Sequence, residues 1–149
     1  MKVLFVCVGN VCRSPMAESI FKGLCESGGY SNIVVKSAGL YIHSRQMMPT
    51  AREALLQCGE KPISEEFIPT QFHSDMVAEF DYIITMNKAQ AEHIGDFANV
   101  YTVDELSGCG DVLDPYMASL EIYTMVCKQL QNALIHIYKK IVLSNSLGY

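Results

Sequence analysis

The segment Val6–Pro15 reads VCVGNVCRSP and combines two thiols, an arginine and a hydroxyl. A thiolate is a strong nucleophile, and a guanidinium can hold two oxygens of one phosphate group. We expect the charge of Arg13 and the N-terminus of a following helix to stabilise the thiolate form of Cys7. This arrangement predicts a site where the phosphorus of a bound phosphate monoester lies in line with the Cys7 sulfur.

The residues around Arg13 favour a tight turn that binds an anion. Gly9 and Asn10 are the residue types that most readily accept a positive φ, so successive amide N–H groups can point toward one centre. The Ser14 hydroxyl can donate to the Cys7 thiolate, and Pro15 suits the first turn of a helix. The predicted phosphate-binding residues are consecutive: Val8, Gly9, Asn10, Val11, Cys12, Arg13 and Ser14.

The alternative is an ordinary turn between a strand and a helix, with a buried cysteine and a surface arginine. The spacing of Cys7 and Arg13 alone is a weak signal, but the preceding strand pattern and the following helix pattern make it specific. A nucleotide P-loop is excluded because no Gly-Lys-Ser/Thr is present, and a dinucleotide site is excluded because Gly-x-Gly-x-x-Gly is absent.

Cysteine-based phosphate hydrolysis needs a proton donor for the leaving group and later a base that activates water. One carboxyl group can serve both steps. Asp114 precedes Pro115, which holds it in an extended conformation before a long helix pattern. Asp111 is the competing residue nearby, and the residues alone leave both carboxyl groups as candidates.

Apolar runs alternating with helical patterns predict the elements that position these residues. Strands are predicted at Lys2–Cys7, Ile33–Ser37, Tyr82–Met86 and Val100–Val103. Helices are predicted at Ser14–Ser27, Thr50–Cys58, Lys88–Ile94 and Ala118–Leu143, with a capping box at Thr50–Glu53. This order predicts one doubly wound α/β domain whose ligand lies beyond the carboxyl ends of the strands.

The composition limits the function classes. Of 149 residues, 50% are hydrophobic and 18% are charged, and the net charge of −5 argues against a nucleic-acid partner. No secretion signal or membrane-length apolar run occurs, so we expect a cytoplasmic protein without membrane contact. The four histidines and six cysteines form no ligand-like cluster, so we expect no metal and no cofactor. Cys25, Cys58 and Cys127 are expected to be small core residues.

The sequence VCVGNVCRSPMAE resembles the signature loop of the low-molecular-weight protein tyrosine phosphatases. Further similarity lies at Ser37–Gly39, Phe80–Met86 and Gly110–Tyr116, in the order and spacing of that family, so it covers nearly all of residues 1–149. The resemblance implies a three-layer α/β/α fold with a four-stranded parallel sheet of order 2-1-3-4. It implies phosphomonoester hydrolysis without metal, with Cys7 as nucleophile, Arg13 binding phosphate and Asp114 as general acid and base.

The same resemblance implies roles for other residues. Asn10 should support the loop, with Ser37 as its hydrogen-bond partner, and Cys12 should form a reversible disulfide with Cys7. Tyr41 and Tyr116 should wall a deep slot that phosphotyrosine reaches and phosphoserine does not. One departure lies at residues 64–66, which read Ser-Glu-Glu where the family often has a histidine supporting the loop.

Residue 11 bears on the substrate. Residues 110–116 resemble a bacterial branch that contains protein arginine phosphatases, and that branch typically has threonine where this chain has Val11. An aliphatic residue here is typical of tyrosine-selective members, so we expect phosphotyrosine, with phosphoarginine as the alternative. The expected partner is a phosphorylated protein, with phosphate, sulfate or vanadate as loop ligands and the protein as a monomer.

Two other classes are less favoured. An arsenate reductase of this fold would need two further resolving cysteines, and residues 74–94 contain none. A phosphoprotein-binding module without turnover would need neither the thiol of Cys7 nor the carboxyl group of Asp114.

Overall fold

The computed structural model describes residues 1–146 and contains one parallel sheet. Its strands are β1 (Lys2–Cys7), β2 (Val34–Gly39), β3 (Tyr82–Thr85) and β4 (Val100–Thr102). Their spatial order, β2-β1-β3-β4, confirms the predicted order 2-1-3-4. In this register Cys7 lies opposite Gly39, and Val6 lies opposite Thr85. The chain therefore leaves β1 at the carboxyl edge of the sheet, between two neighbouring strands.

Helices cover both faces of the sheet. They are α1 (Arg13–Ser27), α2 (Pro49–Gln57), α3 (Met76–Glu79), α4 (Lys88–Ile94), α5 (Val103–Ser107), α6 (Leu120–Tyr138) and α7 (Ser144–Ser146), with a π-helical turn at Lys139–Leu143. The side chains of β1 alternate between two apolar clusters, as expected for a strand buried on both faces. Val3 and Phe5 pack with α1, α2 and α6, and Leu4 and Val6 pack with Met76 of α3 and Ile94 of α4. This confirms the predicted three layers.

Several predicted boundaries differ from the structure. Val103 begins α5 and does not extend β4, because Thr102 and Glu105 form a capping box that starts a helix there. The predicted capping box at Thr50 is wrong, since Pro49 is the first residue of α2 and Met48 is its N-cap without a side-chain bond. The long last helix starts at Leu120, capped by the Ser119 side chain. The short helices α3 and α5 were not predicted, because they span too few turns to show a period.

The described residues also bear on membrane and metal binding. Within residues 1–146, no helix combines the length and apolarity that crossing a membrane requires. In the same range, no group of three or more His, Cys, Asp or Glu side chains is placed so that it could hold a metal ion.

Candidate active site

The loop from Cys7 to Arg13 joins β1 to α1, and its backbone is held from outside. Its carbonyl groups accept hydrogen bonds from the segment that follows β2. The bonds run from the N–H of Leu40 to Cys7 at 3.1 Å, of Tyr41 to Val8 at 2.8 Å, and of Met48 to Val11 at 2.9 Å. With these carbonyls turned outward, the inner side of the loop is available to amide N–H groups, which is the arrangement of an anion-binding nest.

Asn10 supports the loop from within. It is fully buried and has a φ of 55°, a left-handed conformation that asparagine tolerates. Its Oδ1 accepts from the N–H of Thr70 at 2.9 Å, and its Nδ2 donates to Ser14 Oγ at 2.7 Å. Ser14 Oγ lies 2.9 Å from Cys7 Sγ and 3.3 Å from the carbonyl oxygen of Ala38, so its single proton can go to the sulfur or to that carbonyl. This chain of contacts places the Ser14 hydroxyl against the sulfur that the sequence predicts as nucleophile.

The prediction that Ser37 partners Asn10 is wrong. The Ser37 hydroxyl donates to Glu18 Oε1 at 2.6 Å and so links β2 to α1. The backbone N–H of Thr70 serves Asn10 in its place. Thr70 follows residues 64–66, where this chain differs from the family. It contributes its backbone N–H, a group that every residue except proline carries, so its identity does not indicate this role.

Two glycines allow close approach around this loop. A Cβ atom on Gly39 would lie 2.9 Å from the backbone nitrogen of Asn10 and 2.9 Å from the carbonyl carbon of Gly9. A Cβ atom on Gly9 would lie 2.6 Å from His43 Nε2. Both distances are shorter than packed atoms permit, so these glycines let the end of β2 and the His43 ring lie directly against the loop.

Arg13 is the first residue of α1, and its side chain is almost completely buried. Its Nη1 donates to the carbonyl oxygen of Val112 at 3.2 Å, and its Nη2 lies 3.5 Å from Asp114 Oδ2. The first turn of α1 contains no acidic residue, and its N-cap, Cys12, makes no side-chain cap bond. The positive end of the helix and the guanidinium therefore both favour an anion at the loop.

Asp114 is the carboxylate that the structure brings to this loop. Its side chain is 56% exposed, and its Oδ1 accepts from the N–H of Tyr116 at 3.1 Å. Asp114 lines the cavity above Cys7, whereas Asp111, the competing candidate, does not. The geometry therefore favours Asp114 as the group that can exchange a proton with a bound ester.

The cavity above the loop has a volume of about 220 Å³. Drug-sized ligand sites commonly have volumes of about 300–1,000 Å³, so this one suits a single side chain. Its lining comprises most of the predicted loop residues together with His43, Asp114 and Tyr116. The rings of His43 and Tyr116 meet edge to face, with centroids 5.5 Å apart and planes at 81°. Tyr116 therefore walls the cavity, as predicted.

The prediction for Tyr41 is wrong, because this residue is not part of the cavity lining. Tyr41 is 61% exposed, and its ring meets that of His93 at 5.5 Å. His43, two residues further along, takes the wall position. The resemblance implied Tyr41 at this wall, but no periodicity fixes which residue of an irregular segment faces a cavity.

The other cysteines differ from Cys7 in their surroundings. Cys12 is buried with its Sγ 3.3 Å from the Tyr123 hydroxyl, and this burial raises the pKa of Cys12 to about 11. Burial also raises the pKa of Cys25 to about 11 and that of Cys127 above its usual range. Cys25 and Cys127 lie in the core, as predicted, while Cys58 is only half buried at its edge. All six cysteines are free thiols.

The comparisons with known proteins agree with this geometry. Residues 2–145 match the model of the low molecular weight phosphotyrosine protein phosphatase family. The chain belongs to this family. It is therefore a cysteine-dependent, metal-independent protein phosphatase. The family that the sequence resembles is confirmed.

The relatives of this phosphatase include both arginine and tyrosine phosphatases. It is 34% identical over 149 residues to the protein-arginine-phosphatase of Bacillus subtilis (strain 168), covering 95% of this chain and 97% of the relative. It is 33% identical over 141 residues to the low molecular weight protein-tyrosine-phosphatase PtpB of Staphylococcus aureus, covering 91% and 95%. A solved structure of a YwlE arginine phosphatase mutant, in which a phosphorylated serine replaces a cysteine in the active site, is 30% identical, with a TM-score of 0.86 over 99% of both chains.

Proposed function

We propose that this phosphatase hydrolyses phosphotyrosine in proteins through a phosphocysteine intermediate on Cys7. In the first step the guanidinium of Arg13 and the loop amides bind the phosphate, and the thiolate of Cys7 attacks phosphorus. The bond from phosphorus to the tyrosine oxygen breaks, and Asp114 gives its proton to that oxygen. The placement of Asp114 against Arg13 and in the cavity lining supports this role.

In the second step the same carboxyl group acts as a base. Asp114, now ionised, takes a proton from a water molecule that attacks the phosphocysteine. The bond from phosphorus to sulfur breaks, inorganic phosphate leaves, and Cys7 returns to its thiolate form. Ser14, 2.9 Å from the sulfur, stabilises the charge that returns to Cys7.

The observation that supports phosphotyrosine is the apolar lining around residue 11. Val11 is buried and lines the cavity together with Val8 and the ring of Tyr116. A phenyl ring needs no hydrogen bond and gains free energy from such surroundings. A guanidinium carries several N–H donors, and the isopropyl group of Val11 offers no acceptor.

Phosphoarginine is the second candidate substrate, because relatives at 34% and 30% identity are named arginine phosphatases. The carboxyl group of Asp114 would then be the acceptor for the substrate guanidinium. The two candidates share every step at Cys7 and differ only in the group that leaves.

Further proposals concern ligands and location. The loop should bind inorganic phosphate, sulfate and vanadate, which present the same oxygens as the substrate. Six free thiols favour the reducing cytoplasm, and we propose that the protein works there as a monomer. We also propose that a peroxide can oxidise the Cys7 thiolate to a sulfenic acid. The thiol of Cys12, which lies in the same short loop, then attacks that sulfur, water leaves, and a reversible disulfide forms.

Hydrolysis of para-nitrophenyl phosphate in the presence of EDTA tests the mechanism. The native enzyme should be active, and Cys7→Ser should lose essentially all turnover because the nucleophile is gone. Full activity in Cys7→Ser would contradict the proposed intermediate.

A comparison of phosphotyrosine and phosphoarginine peptides tests the substrate. We expect a higher kcat/KM for phosphotyrosine, and Val11→Thr should shift the ratio toward phosphoarginine by adding a hydroxyl to the cavity wall. The contribution of one hydrogen bond, about 1 kcal/mol, corresponds to roughly a fivefold change. If the native enzyme prefers phosphoarginine, the second candidate is favoured. If Val11→Thr leaves the ratio unchanged, residue 11 does not determine the substrate preference.

A further inference from the structure

Gln129 of α6 lies outside the cavity lining, yet its side chain holds the segment that carries Asp114. Its Nε2 donates to the carbonyl oxygen of Asp111 at 2.8 Å, and its Oε1 accepts from the N–H of Leu113 at 3.4 Å. One side-chain amide therefore makes the donor and acceptor pair that a residue of a neighbouring β-strand would make. Residues 110–119 have no regular secondary structure, so side-chain bonds of this kind determine where the segment lies.

Val112, the residue between the two that Gln129 binds, is held from the opposite side. Its N–H donates to the carbonyl oxygen of Met86 at 3.0 Å, and its carbonyl oxygen accepts from Arg13 Nη1 at 3.2 Å. In an extended chain, the backbone groups of successive residues point to opposite sides. Gln129 on one side, and Met86 with Arg13 on the other, therefore fix the same short stretch of backbone.

Gln90 of α4 completes this arrangement at Met86. Gln90 is buried, and its Oε1 accepts from the N–H of Met86 at 2.9 Å. Met86 follows β3, so the inner attachment of Val112 is fixed to the sheet. The outer attachment depends on Gln129, because the side chains of Asp111 and Leu113 are themselves exposed.

The position of this backbone affects two groups of the proposed mechanism. The Val112 carbonyl sets the direction of the Arg13 guanidinium, and Asp114, two residues further on, lies 3.5 Å from the same guanidinium. A small shift of residues 111–113 therefore moves the phosphate-binding group and the proton donor together. Displacements of about 1 Å can cost on the order of a hundredfold in rate.

We propose that Gln129 is a positioning residue for catalysis, which sets the orientation of Arg13 and the reach of the Asp114 carboxyl group by fixing the Asp111–Leu113 backbone. The inference rests on the proposed function, in which Asp114 protonates the leaving oxygen. A purely structural role for Gln129 would change thermal stability and leave the dependence of the rate on the leaving group as it is.

The test compares substrates with poor and good leaving groups in Gln129→Met, which keeps the length of the side chain and removes both hydrogen bonds. We expect kcat/KM for a phosphotyrosine peptide to fall on the order of tenfold, since part of the general-acid contribution is lost. For para-nitrophenyl phosphate, whose leaving group needs little protonation, the loss should be clearly smaller. The inhibition constant of inorganic phosphate should rise severalfold, because Arg13 is less well oriented.

Gln131→Met is the matched control. Gln131 is a glutamine of the same helix with two side-chain bonds, to the carbonyl oxygen of Cys58 at 3.0 Å and to Glu60 Oε2 at 2.6 Å. Those bonds tie α6 to the end of α2 and do not touch the Asp114 segment. This variant should lose stability without changing the ratio of kcat/KM between the two substrates.

Gln129→Glu is a second variant, usable where Gln129→Met does not fold. Its carboxylate can accept from Leu113 but cannot donate to the Asp111 carbonyl, so the same change in the ratio is expected. Asp114→Asn, which removes the acid, distinguishes a failure of the proposed function from a failure of the proposed role of Gln129. An unchanged ratio in Asp114→Asn would overturn the proposed function and this inference with it. The other informative result is a changed ratio in Asp114→Asn together with the native ratio in folded Gln129→Met or Gln129→Glu. It would overturn the role of Gln129 and leave the proposed function in place.

Discussion

Cys7 and Cys12 belong to the same loop and differ in what surrounds their sulfur atoms. Both residues line the cavity and are buried, but Cys7 Sγ has the Ser14 hydroxyl as its neighbour, at 2.9 Å. Cys12 Sγ lies in the core against the Tyr123 hydroxyl, and burial raises the pKa of Cys12 to about 11. A raised pKa means that the neutral thiol is the stable form up to about that pH. Cys12 is therefore poorly suited to nucleophilic chemistry near neutrality.

Alkylation measures this difference directly. At pH 7.5, iodoacetamide should modify Cys7 and leave Cys12 unmodified in the native protein, as read from peptide masses. Inorganic phosphate should protect Cys7, because it occupies the same loop. Denatured protein is the control, where both thiols should react. Equal labelling of the two in the native state would contradict the assignment of their environments.

The position of the loop depends on how closely the end of β2 approaches it. Gly39 is paired with Cys7 in the sheet, and a Cβ atom there would lie 2.9 Å from the backbone of Asn10. The loop carbonyls also accept bonds from the residues that follow Gly39. The shape of the phosphate site is therefore set by two strands and not by the loop sequence alone.

Gly39→Ala should push the loop away from its position. We expect the free energy of unfolding to fall by about 1–3 kcal/mol, the usual cost of overpacking, and the affinity for vanadate to fall severalfold. Gly23→Ala is the control, since a Cβ on this α1 glycine meets only Glu60 Oε1 at an ordinary 3.7 Å. That change should leave vanadate affinity unchanged and raise stability, because alanine suits a helix better than glycine. Native vanadate affinity in Gly39→Ala would show that the loop tolerates a wider separation.

Helix α6 packs against α1, α2 and α5. Its apolar face is completely buried at Leu130 and Leu134, and its Gln129 reaches the segment that carries Asp114. One helix thus contributes to the stability of the core and to the geometry of the site through different faces.

Leu134→Ala should separate these two contributions. Removing a fully buried leucine should lower the free energy of unfolding in urea by about 2–5 kcal/mol, while kcat of the folded enzyme stays close to the native value. Met125→Ala, on an exposed position of the same helix, should change stability by less than about 0.5 kcal/mol. A large fall in kcat for Leu134→Ala would mean that core packing and catalysis are coupled through α6.

The local sequence was sufficient to propose Cys7 as the nucleophile and to predict the strand, loop and helix around it. Cys7, the Gly9–Asn10 turn and Arg13 lie within one strand–loop–helix unit, so residue type and spacing determine their chemistry with little help from the rest of the chain. The strands were also predictable in place, because apolar runs of this kind are typical of a sheet covered on both faces. Resemblance to the family added the strand order and Asp114, which lies on a segment remote from the loop.

Tertiary structure alone decided the groups that complete the site. Asn10 is supported by the backbone of Thr70, 60 residues away, and Ser37 is bonded to Glu18. His43 takes the wall position that the sequence predicted for Tyr41, and Gln129 binds a segment 16 to 18 residues earlier. These contacts join irregular segments that have no repeating pattern, and several use backbone atoms that every residue type carries. Their partners become defined only when the packed sheet and helices bring those segments together.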